Sequence, residues 1–439
     1  MIWIGAEIMN TRRGFLKTAA AAVAGSMMGG ENIARSAEAR PLIVRDAKII
    51  RVRDRKRGAT ESYLEITSGS GLKGYAGPLL KEQVAAFPAN LRELLAERDA
   101  ADPEKLNFAT LWAACHLGRA LESYAEGRDP LSGATVWGIK RSARHTETGW
   151  AITALSAMDL ALWDLRGKAA GQPVWRLLGA KRERLSAYAS MLGHSVKPAE
   201  ARKVAREFFD RGFKQQKWFF MSGPVDGAEG LKQNIELVRV LREELGASAM
   251  LMFDGIQYVW KSVDLDYAIA LAKGILPYKP HWLEEPLRPD DLEGYTRLKG
   301  ETGIALAAGE HWYTRWNVKP FLDRRIVSFV QSDPEWCGGI SEWLAICEMV
   351  RAYPGVEVVP HGHHVLAAST CVASQSEALC PMLEYLVRSR TAFQHCQTRP
   401  MVAEAGTFPM AEEPGLGPSL DEARMERVAG RVTPERSVA

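Results

Sequence analysis

No apolar run in the chain approaches the roughly 20 residues that a helix needs to cross a bilayer, so no segment reads as a transmembrane helix. Cysteine is scarce and unpatterned. The six residues (Cys115, Cys337, Cys347, Cys371, Cys380 and Cys396) form no C-x-x-C pair and no metal-ligand spacing. That excludes a zinc ribbon or a dithiol redox motif and leaves buried thiols as the expectation. Excess charge is lacking as well. With 56 basic and 53 acidic residues the net charge is +3, so composition makes no case for nucleic acid or another polyanion as a partner. Finally, no glycine-rich phosphate loop follows the first strand candidate of the C-terminal half, which argues against a dinucleotide-binding, doubly wound sheet.

What remains is an ordinary globular composition, 46% hydrophobic and 25% charged, over 439 residues, a length suited to two domains. Residues 1–39 read as a twin-arginine export signal. Thr11-Arg12-Arg13-Gly14-Phe15-Leu16-Lys17 is followed by a weakly apolar stretch, Thr18 to Gly30. Ala37-Glu38-Ala39 then supplies the small residues a signal peptidase cuts. That route carries proteins already folded and would deliver this one to the periplasm.

Residues 40–183 have the pattern of an α+β domain. Strand-like runs between Pro41 and Gly77 precede a region helical in character, Lys81 to Glu126. A long helix is expected from Thr148 to about Ala170, stopped by Gly171-Gln172-Pro173. After Arg184 the texture changes. Eight short apolar strand candidates alternate with helical stretches through residue 404: Leu185–Leu192, Phe213–Phe220, Ala249–Phe253, Trp282–Glu285, Ile304–Gly309, Val327–Gln331, Val356–Pro360 and Met382–Leu386. Repeated units of this kind predict parallel strands, and eight of them predict a TIM-type (β/α) barrel. Residues 405–439, opened by the loop markers Gly406-Thr407-Phe408 and Pro414-Gly415-Leu416-Gly417, are expected to leave the barrel and pack back on the N-terminal capping domain.

Polar residues stand at the C-terminal ends of successive strand candidates. The third ends in Asp254, the fourth in Glu284-Glu285, the fifth in Glu310-His311, the sixth in Asp333 and the seventh in His361, while the eighth carries Glu384. In a barrel these ends meet on one face, which holds the active site. Any one of the acids alone reads best as a surface salt bridge. Three at matching positions, Asp254, Glu284 and Glu310, instead make a hard, oxygen-rich site suited to Mg²⁺.

The order Asp, Glu, Glu on strands three to five, followed by Asp333 and His361, resembles the enolase superfamily in its mandelate racemase/muconate lactonizing enzyme-like branch. The segment from Ala157 to Lys168, with Gln172-Pro173-Val174 and Leu177-Leu178-Gly179, is similar to the helix that precedes the barrel there, its acids Asp159 and Asp164 being structural. The resemblance implies Asp254, Glu284 and Glu310 as metal ligands and Glu285 as a supporting residue behind them. It implies His361 as general base, oriented and charged by Asp333, and Glu384 as a strand-eight acid of the site. The chemistry explains the residue types. A proton beside a carboxylate is very weakly acidic, and Mg²⁺ on the carboxylate oxygens stabilises the charge that its removal creates. Sites of the enolase superfamily pair a Lys or His base with Mg²⁺ for this purpose.

Departures from the pattern narrow the reaction. Racemases of the branch carry Lys-x-Lys on strand two, but here Lys217 is followed by Trp218 and Phe219, so the usual second base is missing. Two segments, Gln331 to Gly339 and Val358 to Gly362, resemble the acid-sugar dehydratases, of the rhamnonate type most of all. The expectation is therefore an acid-sugar dehydratase acting on a small sugar acid, with a homo-oligomeric assembly implied by the family. Rhamnonate dehydratases carry a His near the start of the mature chain, and none of the nine histidines here precedes His116. His116 reads as core and His145 as a loop residue. His311 and Lys217 are expected to contact substrate, with His363 and His364 at the mouth. An epimerase or cycloisomerase using Lys217 as a second base is the enzymatic alternative, separable by whether a 2-keto-3-deoxy product forms. A metal-dependent sugar-acid binding protein without turnover is the other, disfavoured because binding alone has no need of the Asp333–His361 pair.

Overall fold

A computed structural model describes residues 41–87, 91–112, 124–128, 135–139, 149–256, 263–388 and 394–428. The Arg12–Arg13 export pattern, Cys115, His116 and His145 lie outside the described residues. Strands β1 (Val44–Asp54), β2 (Thr60–Ser68) and β3 (Lys73–Leu79) form an antiparallel sheet. Two short helices, α1 (Lys81–Ala86) and α2 (Leu91–Leu95), follow. The helical expectation fails at the end of its range: β4 (Tyr124–Arg128) pairs antiparallel with β5 (Thr135–Ile139). Helix α3 (Trp150–Ala169) is buried from Ile152 to Gly167, on every side rather than along one stripe, because it lies between the capping sheet and the barrel. A short turn of helix, α4 (Val174–Leu177), leads into the barrel.

All eight expected barrel strands form. They are β6 (Arg184–Ser190), β7 (Gln215–Phe219), β8 (Met250–Asp254), β9 (Leu283–Glu284), β10 (Leu306–Ala308), β11 (Phe329–Val330), β12 (Glu357–Val358) and β13 (Leu383–Leu386). Between them run α5 (Pro198–Asp210), α6 (Gly227–Leu245), α7 (Leu265–Ile275), α8 (Leu292–Thr302), α9 (Thr314–Asp323), α10 (Gly339–Val350) and α11 (Val365–Ala373). Sequential strands are parallel neighbours from β6 to β12, and β13 pairs with β6. Joining the eighth strand to the first curls the sheet on itself and excludes a doubly wound order. Tyr188, Met252, Trp282, Ala307, Phe329, Val359 and Met382, from seven of the eight strand regions, fill the interior as a cluster of their own. That plug floors the site above it. The tail adds β14 (Thr407–Pro409) antiparallel to β6 and returns β15 (Met425–Arg427) to β1 of the capping sheet. Among the described residues, Cys337, Cys347, Cys371, Cys380 and Cys396 are free and buried, and no helix is long and apolar enough to cross a membrane.

One buried carboxylate ties cap to barrel. Asp159 of α3 accepts from the Phe108 amide (3.0 Å), the Ser341 amide (3.0 Å) and the Ser341 hydroxyl (2.7 Å). Gly339 permits this approach: its φ is +81°, and a Cβ there would stand 2.4 Å from the Asp159 carboxylate. The Trp-Cys-Gly-Gly segment thus has a packing reason. Asp159→Ala would strand two buried amides and a hydroxyl, and we expect a loss of about 2–4 kcal/mol in unfolding free energy. Urea titration checks it. An unchanged midpoint would mean those groups find other partners.

Candidate active site

Parallel strands deliver their C-terminal ends to one rim, and Asp254, Glu284, Glu285, Glu310, His311, Asp333, His361, Glu384 and Lys217 lie there or one layer below. Asp254 closes β8 and pairs in register with Glu284, which closes β9. Phe219, at the end of β7, is in register with Asp254. The three therefore share a level and a face. The position a second lysine would take is thus filled by an apolar ring. Lys217, two residues earlier on the same face, is buried with its Nζ 2.6 Å from Glu284 Oε1, 2.9 Å from Glu384 Oε1 and 3.3 Å from Asp254 Oδ2. Glu384 sits on β13 and also accepts from the Gly362 amide at 3.0 Å. Burial opposes the charge on Lys217, but Glu284 and Glu384 outweigh it and hold the ammonium well above its ordinary pKa. Glu384, despite its burial, is drawn down to about 2, chiefly by Lys217.

Glu284 is held on both oxygens: Lys217 is at one, and the Trp282 indole (3.0 Å) and Gln331 amide (2.7 Å) donate to the other. Glu285 turns elsewhere, its backbone at φ +33°. It accepts from the Gly309 amide (3.1 Å) and lies 2.8 Å from His311 Nδ1. Glu310 lies 3.6 Å from both His311 and His361. His361 Nδ1 is 2.7 Å from Asp333, and its Nε2 faces Glu310. Asp333 is 1% exposed, whereas the His361 and Glu310 side chains keep 13% and 14%. The acid therefore stands behind the imidazole, which faces the opening. Burial would lower His361, but the Glu310 charge and the bond to Asp333 prevail and raise it well above its ordinary value.

The acid cluster has more negative charge than its own cations balance. Burial and the charge of Asp254 push Glu284 up to about 8. Burial pushes Glu310 up to about 7 and raises Asp254 as well. Buried carboxylates with raised pKa values, all-oxygen donors and no thiols fit a hard divalent cation. Two overlapping sets are candidates: the all-oxygen set Asp254, Glu284 and Glu310 across three strands, and Glu285, Glu310 and His311, the one set among the described residues whose ligand atoms lie within 4.8 Å of one another.

Some of the arrangement was not foreseen. Trp336 packs beside His361, His363 and His311, with ring centroids 4.9, 5.5 and 6.1 Å away. His363 Nδ1 lies 2.7 Å from Glu335. His364 departs from the expected mouth position. It is buried, its Nε2 3.5 Å from the Gln397 amide nitrogen. A sequence clue to the second His–carboxylate contact existed, since Asp333-x-Glu335 and His361-x-His363 share one spacing.

A family model described as "Enolase C-terminal domain-like" matches residues 200–424, and one for the mandelate racemase/muconate lactonizing enzyme N-terminal domain matches residues 130–179. An L-rhamnonate dehydratase from Saccharopolyspora erythraea is 33% identical over 317 residues, 70% of this chain and 75% of that protein. The solved rhamnonate dehydratase of Gibberella zeae, complexed with Mg, aligns with TM-score 0.67 and 27% identity, over 83% of this chain and 81% of that one. The 3,6-anhydro-D-galactonate cycloisomerase of Zobellia galactanivorans aligns with TM-score 0.68 at 23% identity, over 87% of this chain and 98% of that one, a likeness of fold. The chain therefore belongs to the mandelate racemase/muconate lactonizing enzyme branch of the enolase superfamily, alongside its acid-sugar dehydratases.

Proposed function

We propose that the protein is a Mg²⁺-dependent hydro-lyase that converts a sugar acid to its 2-keto-3-deoxy acid. The observation that carries this reading is the pairing of one oriented imidazole, His361 on Asp333, with a buried carboxylate cluster at the same barrel mouth. Asp254, Glu284 and Glu310 are the metal ligands in this reading. Asp254 and Glu284 are favoured over the Glu285–His311 pair because their register puts them side by side facing the barrel axis, whereas Glu285 and His311 engage each other. A divalent cation held by these residues would supply positive charge to the substrate carboxylate as its neighbouring proton leaves. A cation on Glu310 would offset the charge that most raises His361 in the metal-free site, and the neutral imidazole takes the proton from the α carbon on Nε2. The electrons of that C–H bond form a double bond to the β carbon as the C–O bond breaks, and the departing hydroxyl takes a proton to leave as water. The proton on His361 is the one at hand. The remaining enol becomes the keto acid.

Lys217 supports a one-base reaction. Three carboxylates favour its charged form in the metal-free site, which disfavours it as a proton acceptor. Its role is to balance Glu284 and Glu384 beneath the substrate. The test is a panel of sugar acids incubated with protein and Mg²⁺, read by colour formation from 2-keto-3-deoxy acids. Formation of an epimer without keto acid would sink the reading.

Export by the twin-arginine route is part of the same proposal, supported by the Arg12-Arg13 segment and Ala37-Glu38-Ala39. Lysine at both arginine positions should leave folded, active enzyme in the cytoplasmic fraction. A double variant that still reaches the periplasm would exclude this route.

A further inference from the structure

Three residues close their strands at one level on the inner face of the barrel. Phe219 of β7 is in register with Asp254 of β8, which is in register with Glu284 of β9. One layer below, Lys217 pairs with Met252, and Met252 and Trp282 belong to the plug that floors the site. The inward direction of this face is thereby fixed on all three strands. Two of the three residues are acids expected to hold the cation. The third is a phenyl ring, 5% exposed beside Asp254 at 9%. Its chain neighbours Trp218 and Phe220 turn to the other face and pack in the main core. Among the described residues Phe219 itself belongs to none of the apolar clusters. The core thus gives no reason for a ring among Lys217, Asp254 and Glu284, and the reason is sought in what binds beside it.

Neighbouring strands lie about 4.8 Å apart, so a sugar acid with its carboxylate end at Asp254 and Glu284 lies against this ring. His361 stands on the other side of that molecule. It follows β12, whose end adjoins β13 through the bond from the Gly362 amide to Glu384, and β13, β6 and β7 are successive neighbours. Two strands separate the base from Phe219 by the shorter path and four by the longer, which sets imidazole and ring on opposing parts of the rim. This arrangement constrains the β carbon of the substrate. The α hydrogen and the leaving hydroxyl both turn to His361. At the β carbon a hydrogen and the γ carbon are left to share the other two directions, one along the chain and one toward Phe219. A hydrogen there rests on the ring face, an apolar surface for the C–H side of a sugar. Inverting the β carbon exchanges the two and drives the γ carbon into the ring.

Resting on the dehydratase reading above, we propose that Phe219 is a specificity-determining residue: its ring is the platform for the C–H side of the sugar acid opposite His361, and it admits one configuration at the β carbon. A sugar acid and its epimer at that carbon carry the same charge and the same groups, so the ring separates them by shape. A single methylene too many in an apolar pocket is worth about 10–200-fold.

The test uses the Mg²⁺-loaded full chain and two variants, Phe219→Ala and Phe219→Leu. Each is assayed on the best aldonate of the panel and on its epimer at the β carbon, and binding of both acids is measured separately by calorimetry. The wild type should favour the aldonate by about 10–200-fold in kcat/KM. In Phe219→Ala that ratio should fall by about tenfold or more, through a raised KM for the aldonate and a gain on the epimer. Phe219→Leu, which keeps apolar bulk without a flat face, should lie between. Both variants should keep the rise in unfolding midpoint that Mg²⁺ gives the wild type, because the ring is no ligand. An unchanged ratio in Phe219→Ala, with equal losses on both acids, would overturn the proposal and leave the ring a structural filler. A wild type that turns over both epimers equally would overturn it as well. Should the wild type form no keto acid from any sugar acid, the dehydratase reading fails. The calorimetric preference between the epimers, and its collapse in Phe219→Ala, then decides the platform, and a wild type that binds neither acid overturns that too.

Discussion

His361→Asn is expected to abolish keto-acid formation and α-hydrogen exchange together, while the fold and metal content stay as in the wild type. Asparagine keeps similar size and can still hydrogen-bond to Asp333, but it cannot take a proton. Loss of a general base costs about 10²–10⁴-fold. The loss here sits at the upper end or beyond, because the same imidazole holds the proton nearest the departing hydroxyl. Asp333→Asn should also hurt. The neutral amide no longer favours a proton on Nδ1 and a lone pair on Nε2, and the charge that raises His361 is gone. The double variant should be little worse than the worse single one, since the pair acts as a unit. Incubation of each protein with a turned-over sugar acid in D₂O, followed by NMR of the α position, reads both steps. Exchange at the wild-type rate in His361→Asn would assign the base elsewhere, and Lys217 would be examined first.

The barrel was legible because its strands are short apolar runs whose last residues are polar, and a parallel sheet turns that linear order into one rim. Asp254, Glu284, Glu310, Asp333, His361 and Glu384 were legible for the same reason. The contacts among them were not. Lys217 is touched by acids from β8, β9 and β13, strands far apart in sequence that the order β13-β6-β7-β8-β9 gathers around its own strand. The β4–β5 hairpin was missed because Tyr124-Ala-Glu-Gly-Arg offers a weak alternation with a glycine and two charges, and the leucine spacing before it suggested more helix. The burial of His364 was hidden too. Consecutive residues at a helix start point in different directions, so His363 meets the cavity under the cap while His364 packs beside Gln397 of the C-terminal segment.

The metal prediction turns on which acids are ligands. Adding Mg²⁺ to the chelator-treated wild type should raise its unfolding midpoint, because an ion that binds the folded state alone stabilises it by mass action. Glu284→Gln and Glu310→Gln should lose that response and all turnover. Glu285→Gln, which alters a partner of His311 and not a ligand, should lose about 10–100-fold in Mg²⁺ affinity and keep a response at high Mg²⁺. The reverse order, with Glu285→Gln the more damaging of the neighbouring pair, would assign the ion to Glu285, Glu310 and His311. A second consequence concerns the metal-free protein. Glu310 is raised to about 7, mainly by burial, from an ordinary 4.5. The folded state therefore binds more protons there than the unfolded state between those pH values. Stability must then fall as pH rises from about 4.5 to about 7, with the full cost present above that range. Glutamine at this position carries no such penalty. Metal-free Glu310→Gln should thus be at least as stable as metal-free wild type at pH 8, lose its advantage near pH 4.5, and be the less stable of the two once Mg²⁺ is added at pH 8. Thermal melts at both pH values, with and without the ion, check all three comparisons. A variant less stable than wild type in chelator at pH 8 would mean that Glu310 is satisfied by the protein itself and is no ligand in waiting.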